Sequence, residues 1–327
     1  MFDILPGTLY HWYREHLSDY NTDKSSGAWT QNTVLTVDHD TGEVLKEKPV
    51  YVFKPENIGE RMSIDDKAIG HEGYTIMSNT DTGKIAMLIE STKSEELEKA
   101  MQLFGNELLK VKSISLDMSP TFLKLCHQQM PYAKKVVDKF HVMQYVYDAV
   151  LEVRSRIKKE LSEKLSKGKE KTQQDKSLLY EIEQLKHCRY RLTQSPDKWS
   201  EAGTELMNRI FENHQELKTA YQISQNFKNW YHISNCRLDK TKIKDDLDQW
   251  YNTIKNTGIK EFVSVVKMVR KHEYEILNFF SCGHTNAKAE QLNGKIQRFV
   301  SANYGVRDKD FFIYRLAGYF SIVSVFY

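Results

Sequence analysis

The 327-residue chain has little cysteine: Cys126, Cys188, Cys236 and Cys282 are the four, with no Cys-x-x-Cys pair and none in residues 1–60. Neither zinc-ligand spacing nor a disulfide framework is visible, and with no signal peptide ahead of them these read as reduced, buried thiols in a cytoplasm. A bilayer-spanning run is missing as well. The apolar stretch from Leu316 to Tyr327 is shorter than the ~20 residues a spanning helix needs, so a packed terminal helix or strand is expected and no membrane partner. Net charge is small, +3, which by itself does not demand nucleic acid and leaves the question to local clusters. Helix breakers are scarce between Met143 and Phe280, where Pro196 is the only proline.

What is present can fold. Hydrophobic residues make up 40% and aromatics 12%, enough for a core, and the length allows two domains or one domain with a large insertion. Pro6 to Leu17 has Leu9, Trp12, Tyr13 and Leu17 near helical spacing. The polar stretch that follows reads as turn, so no recognition helix is predicted there. Val34–Val37 and Pro49–Phe53 read as short strands or an extended arm. From Met62 the pattern sharpens. Met62–Ile64 is a strand stopping at Asp65-Asp66; Tyr74–Ser78 and Lys84–Glu90 are strands around a hairpin loop ending in Gly83. A helix led by Ser94 follows, then the strand Ile114–Leu116 stopping at Asp117, a helix started near Pro120, and a strand stopping at Asp138.

Three antiparallel strands followed by a βαβ unit give a ribonuclease-H-like mixed α/β sheet, in which the first and fourth strands lie side by side. Asp65 and Asp117 should then meet. From Met143 to Phe280 the chain reads as almost wholly helical, a large all-helical insertion into that fold. Arg154 to Lys176 holds nine Lys or Arg against four Asp or Glu; it is either a solvated hairpin or a phosphate-contacting surface, with Arg154, Arg156, Lys158 and Lys159 as the candidate DNA contacts. Trp199, Trp230 and Trp250 read as core before they read as base-stacking platforms. A last helix, entered near Thr285 or Asn286, puts Leu292, Ile296 and Phe299 on one face and Glu290, Asn293, Gly294 and Gln297 on another.

Three carboxylates brought together would suit hard divalent cations, which take oxygen ligands. Two such ions about 3.5–4 Å apart can clamp the attacking and leaving oxygens of an in-line phosphoryl transfer. Asp117 is the candidate bridging ligand, with Asp65 and Glu290 holding one side each. Plainer readings stand beside these. Asp65 or Asp66 can be a turn residue, Asp117 a helix cap, and Glu290 a solvent-facing charge.

Four stretches in this order, MSIDDKAIG-HEGYTI, ISLDMSP, VVDKFHVMQ and TNAKAEQLNGKI, resemble the bacterial insertion-sequence transposases of the ISL3 group, over roughly Met62 to Gly318. The resemblance implies a DDE triad of Asp65, Asp117 and Glu290 using two Mg²⁺ ions, or Mn²⁺ in their place, for DNA strand cleavage and strand transfer. It implies that Asp138 and His141 form the Asp-x-x-His motif of Mutator-like transposases, and that Asn286 and Asn293 support the site. Both His141 and Asp138 could instead brace the fold. DNA, as element ends and target, is the implied partner, with a homo-oligomer on paired ends and a nucleoid-associated location.

The implied layout is an N-terminal arm over 1–60, a catalytic domain over 61–145 and 281–318, the helical insertion over 146–280 and a tail over 319–327. Members of the group usually carry an N-terminal zinc finger and helix-turn-helix; here neither is visible. Those modules would sit on a separate N-terminal DNA-binding polypeptide, or the copy is truncated. A ribonuclease-H-like nuclease that only hydrolyses, or a remnant that only binds DNA, are the rival readings.

Overall fold

Runs of β-branched and apolar residues between turn signals pair as strands in the computed structural model, which describes residues 5–26, 32–37, 44–166, 172–282, 287–303 and 308–321. Two short helices, α1 (Pro6–Trp12) and α2 (Tyr20–Ser26), precede strands β1 (Asn32–Val37), β2 (Val44–Phe53), β3 (Arg61–Ile69), β4 (Glu72–Asn79) and β5 (Lys84–Ile89). Helix α3 (Ser94–Gln102), β6 (Ser113–Leu116), α4 (Pro120–Gln129) and β7 (Lys134–Val137) follow. Together they form one seven-stranded sheet in the order β1-β2-β5-β4-β3-β6-β7. Pairing is antiparallel except where β6 lies parallel to β3 and to β7.

The turns follow from local chemistry. Gly70, with φ +66°, closes the two-residue connection between β3 and β4, and Gly83, with φ +72°, ends the loop into β5; both conformations are strained for residues with a Cβ. In the second loop Asn79 Oδ1 accepts the Asp81 and Thr82 amides at 2.8 and 3.1 Å, an Asx-type turn.

Alternation along the strands splits the core into two faces. Met62, Ile64, Met77, Met87, Ile114 and Leu116 pack with Leu97, Met101, Phe122 and Leu125 of α3 and α4. Ile69, Tyr74, Ile76, Ile85 and Leu88 pack on the other face with Leu292 and Ile296 of one further helix and Phe312, Ile313 and Leu316 of another. Those helices come from the far end of the chain and belong to the same compact unit, residues 1–138 with 285–327.

Residues 139–284 make a second compact unit, all helical. It comprises α5 (Lys139–Glu163), α6 (Gln173–His187), α7 (Glu201–Asn213), α8 (Gln215–Trp230), α9 (Lys240–Thr257), α10 (Phe262–Lys271) and α11 (Glu273–Cys282). Three of its helices start at a side-chain cap: Thr172 and Asp175 form a capping box on α6, Ser200 accepts the Gly203 amide on α7, and Asp239 accepts the Thr241 amide on α9. Trp199, Trp230 and Trp250 each donate their indole N–H to a backbone carbonyl, of Arg191, Ile243 and Ile223. Phe227 packs against Trp230, Tyr231 and Trp250. Trp250 and Phe227 are buried core of the helical unit, and Trp199 and Trp230 are half-buried at its edge.

The first unit is completed by α12 (Ala287–Ala302) and α13 (Lys309–Ser321). Two expectations change here. The polar stretch after Leu17, expected as turn, contains α2, because Tyr20 is fully buried against Phe311 and Tyr314 of α13 while Asp23 accepts from the Tyr314 hydroxyl at 2.9 Å. Of the two readings open for Val34–Val37 and Pro49–Phe53, the strands are what forms and no separate arm: β1 and β2 extend the same sheet through β5. Helix α13 runs through Ser321, and the rest of the expected tail lies outside the described residues.

Candidate active site

The parallel pair β3–β6 has Arg61 opposite Ser113, Met62 opposite Ile114 and Ser63 opposite Ser115. Carrying that register on by two positions brings Asp65 opposite Asp117. Period-two alternation sends both to the same face: Ile64 and Leu116, the residues before them, point into the core under α3 and α4. Strand β3 does not stop at Asp65, as its sequence suggested. It runs on to Ile69, because β4 keeps pairing with it, Asp65 against Ile76 and Asp66 against Thr75.

Each acid is held by a specific partner. Asp65 Oδ2 accepts from Asn293 Nδ2 of α12 at 2.8 Å and lies 3.1 Å from the Lys67 ammonium. Asp117 Oδ1 accepts the Ser119 amide at 2.7 Å, so the carboxylate turns the chain toward α4 while Ser119, with Pro120 after it, occupies the cap position. Asp66, on the opposite face from Asp65, accepts from the Thr75 hydroxyl at 2.6 Å. Its carboxyl is pushed up to about 6, first by desolvation and then by the charges of Asp117 and Asp65, with the Thr75 hydrogen bond opposing. The residue as a whole keeps much of its surface in water.

Asn293 brings α12 to the acids. Glu290 lies one turn before it on the same helix; its side chain, and Asn286 altogether, fall outside the described residues. Among the described residues no group of three or more His, Cys, Asp or Glu side chains forms a metal cluster. The donor set nevertheless suits a hard cation. Asp65 and Asp117, both half-buried, would offer carboxylate oxygens, the ligand type that a hard divalent cation takes.

Residues 62–316 match the transposase family model of the ISL3 DDE group. The chain belongs to the ISL3 transposase family. No curated protein and no solved structure matches it. In this family member Asp65, Asp117, Asn293 and Glu290 all lie within the matched span.

The remaining candidates separate. Asp138 follows β7 directly, with its amide donating to the Leu116 carbonyl at 2.7 Å, so it stands beside Asp117 at the C-terminal ends of β6 and β7. His141 lies in the first turn of α5, half-buried, with the Phe140 ring edge-on at 5.8 Å. Of the basic residues expected to meet DNA, Arg154 is buried and donates to the Leu185 carbonyl at 2.8 Å. Arg156 is engaged by Glu261, Glu216 and Glu160 at 2.7, 2.6 and 3.2 Å. Lys158 is half-buried and Lys159 exposed, the latter 3.9 Å from Glu163. Residues 167–171 of that basic run lie outside the described residues. One residue of the site was missed in the sequence, Lys67. Its signal was the i, i+2 spacing that puts it on the Asp65 side of β3.

Proposed function

We propose that this chain is a DNA transposase catalysing metal-dependent strand cleavage and strand transfer through Asp65, Asp117 and Glu290 on a ribonuclease-H-like fold. What carries the reading is the parallel register of β3 and β6, which, continued two positions past Ser63 opposite Ser115, sets Asp65 against Asp117 just beyond β6, together with the Asn293 side chain of α12 bonded to Asp65. The sheet order β5-β4-β3-β6-β7, with the first of three antiparallel strands beside the fourth, supports the fold assignment.

Two Mg²⁺ ions, or Mn²⁺, held by Asp65, Asp117 and Glu290 would supply the Lewis acidity that sharpens the attacking oxygen and stabilises the leaving one. The protein's part is positioning. The Ser119 amide holds one oxygen of Asp117, which would be a metal ligand, and Asn293 fixes the rotamer of Asp65, which would be another. Water and then a 3′-hydroxyl attack phosphorus directly, and no serine or tyrosine is assigned as a nucleophile. Asp138 is assigned a supporting role beside Asp117, and His141 and Asn286 are assigned supporting roles as well. DNA ends and target are the substrates, bound by a homo-oligomer.

The test is cleavage and joining of duplexes carrying the element's terminal sequences. D65N, D117N and E290Q should each lose cleavage by about 10³-fold or more, the scale of removing a group the chemistry depends on, with circular dichroism and thermal midpoint unchanged. D117N cutting normally would sink the assignment. Given pre-cut ends, the wild type should join them to target DNA; hydrolysis without joining would make it a nuclease.

A further inference from the structure

The Asp65 carboxylate already has a cation against it. Lys67 Nζ lies 3.1 Å from Asp65 Oδ2, the same oxygen that takes the Asn293 amide at 2.8 Å. Both residues stand on one face of β3, two positions apart, and their side chains keep 26% and 23% exposure, so neither charge is sealed from solvent or from an incoming ligand. An ammonium at hydrogen-bond distance and a divalent ion at its shorter coordination distance cannot both sit on one carboxylate oxygen at full strength. A lysine on a flexible four-carbon stem can, however, move to another anion nearby.

We propose that Lys67 is a positioning residue that serves as the resident counter-ion of Asp65 and gives that carboxylate up to a divalent cation when a DNA phosphodiester offers the ammonium a new partner. Metal loading and DNA binding are thereby coupled: a phosphate that draws Lys67 away raises the affinity of Asp65 for the cation, and by linkage the cation raises the affinity for DNA. The inference rests on the assignment of Asp65 as a metal ligand. It adds a residue whose effect on metal binding runs opposite to that of a ligand, since removing the lysine strengthens cation binding to the free protein.

The experiment is Mn²⁺ binding to the full chain, followed by electron paramagnetic resonance of the free ion, with and without duplex DNA, for wild type, K67M, D117N and K67M/D117N. In the absence of DNA, K67M should bind Mn²⁺ about five- to tenfold more tightly than wild type, the scale of one opposing charge removed from a half-exposed pair. DNA should raise wild-type Mn²⁺ affinity and raise that of K67M by a smaller factor. An affinity of DNA-free K67M equal to or below wild type overturns the inference. The D117N arms keep the two readings apart: loss of Mn²⁺ binding in both leaves the metal assignment standing whatever K67M does, whereas undiminished binding removes the metal assignment and the role of Lys67 with it.

Discussion

Asp65 and Asp66 are neighbours with opposite surroundings, and the pleat of β3 is the cause. Asp65 meets Asn293 and Lys67 on one face; Asp66 meets Thr75 on the other. Replacing them should separate them functionally. D66N is expected to keep cleavage within about tenfold of wild type, while D65N falls by about 10³-fold or more; a single-turnover cleavage assay on both reads the difference, and equal losses would mean that alternation does not assign their roles. Asp65 and Asp117 were legible because each follows an apolar run that must be buried on the opposite face. Lys67 was not, since its pairing needs β3 to continue past Asp65, and that continuation is imposed by the hairpin with β4 rather than by residues 62–64. The burial of Arg154 also had a signal in the sequence: Val150, Val153, Arg154, Ile157 and Leu161 lie on the buried stripe of α5 at helical spacing.

At the scale of elements, one carboxylate ties the end of the sheet to α13. Glu90, just beyond β5, pairs with Lys48 of β2 at 3.1 Å and Lys309 of α13 at 2.9 Å, and accepts from the Tyr51 and Tyr74 hydroxyls at 3.3 Å each. Burial works to raise its pKa, but the two ammoniums prevail and hold it below the ordinary glutamate value. A depressed folded pKa means that the contribution to stability is present above the unfolded value of about 4.3 and is lost as pH falls through the folded one. Thermal midpoints measured from pH 6 down to pH 3 should therefore fall more steeply for wild type than for E90Q, and parallel curves would remove Glu90 as the clamp. In the helical unit Arg156 plays the equivalent part, joining α5, α8 and the start of α10 through Glu160, Glu216 and Glu261. R156A should lower the stability of that unit by about 1–2 kcal/mol while leaving the salt dependence of DNA binding unchanged; a flatter salt slope in R156A would instead restore it as a phosphate contact.

Over the whole molecule, the chain builds two compact units, residues 1–138 with 285–327 and residues 139–284, each with its own buried core. The helical character of the second unit was readable from the change in composition at Met143, because a stretch with one proline and regular apolar spacing can hardly be anything but helices. The placing of the first 60 residues was not readable: β1 and β2 are short, and only β5 decides that they belong to the sheet. Two separate cores predict two unfolding transitions by calorimetry. Divalent cations should raise only the transition of the unit that holds Asp65 and Asp117; an identical shift in both would argue against a metal site confined to the first. The central claim is that Asp117 itself ligates the cation, and a change of ligand tests it most directly. D117C should be inactive in strand cleavage with Mg²⁺, which disfavours sulfur, and regain activity with Mn²⁺, which accepts it more readily; D117C as active as wild type in Mg²⁺ would contradict the claim.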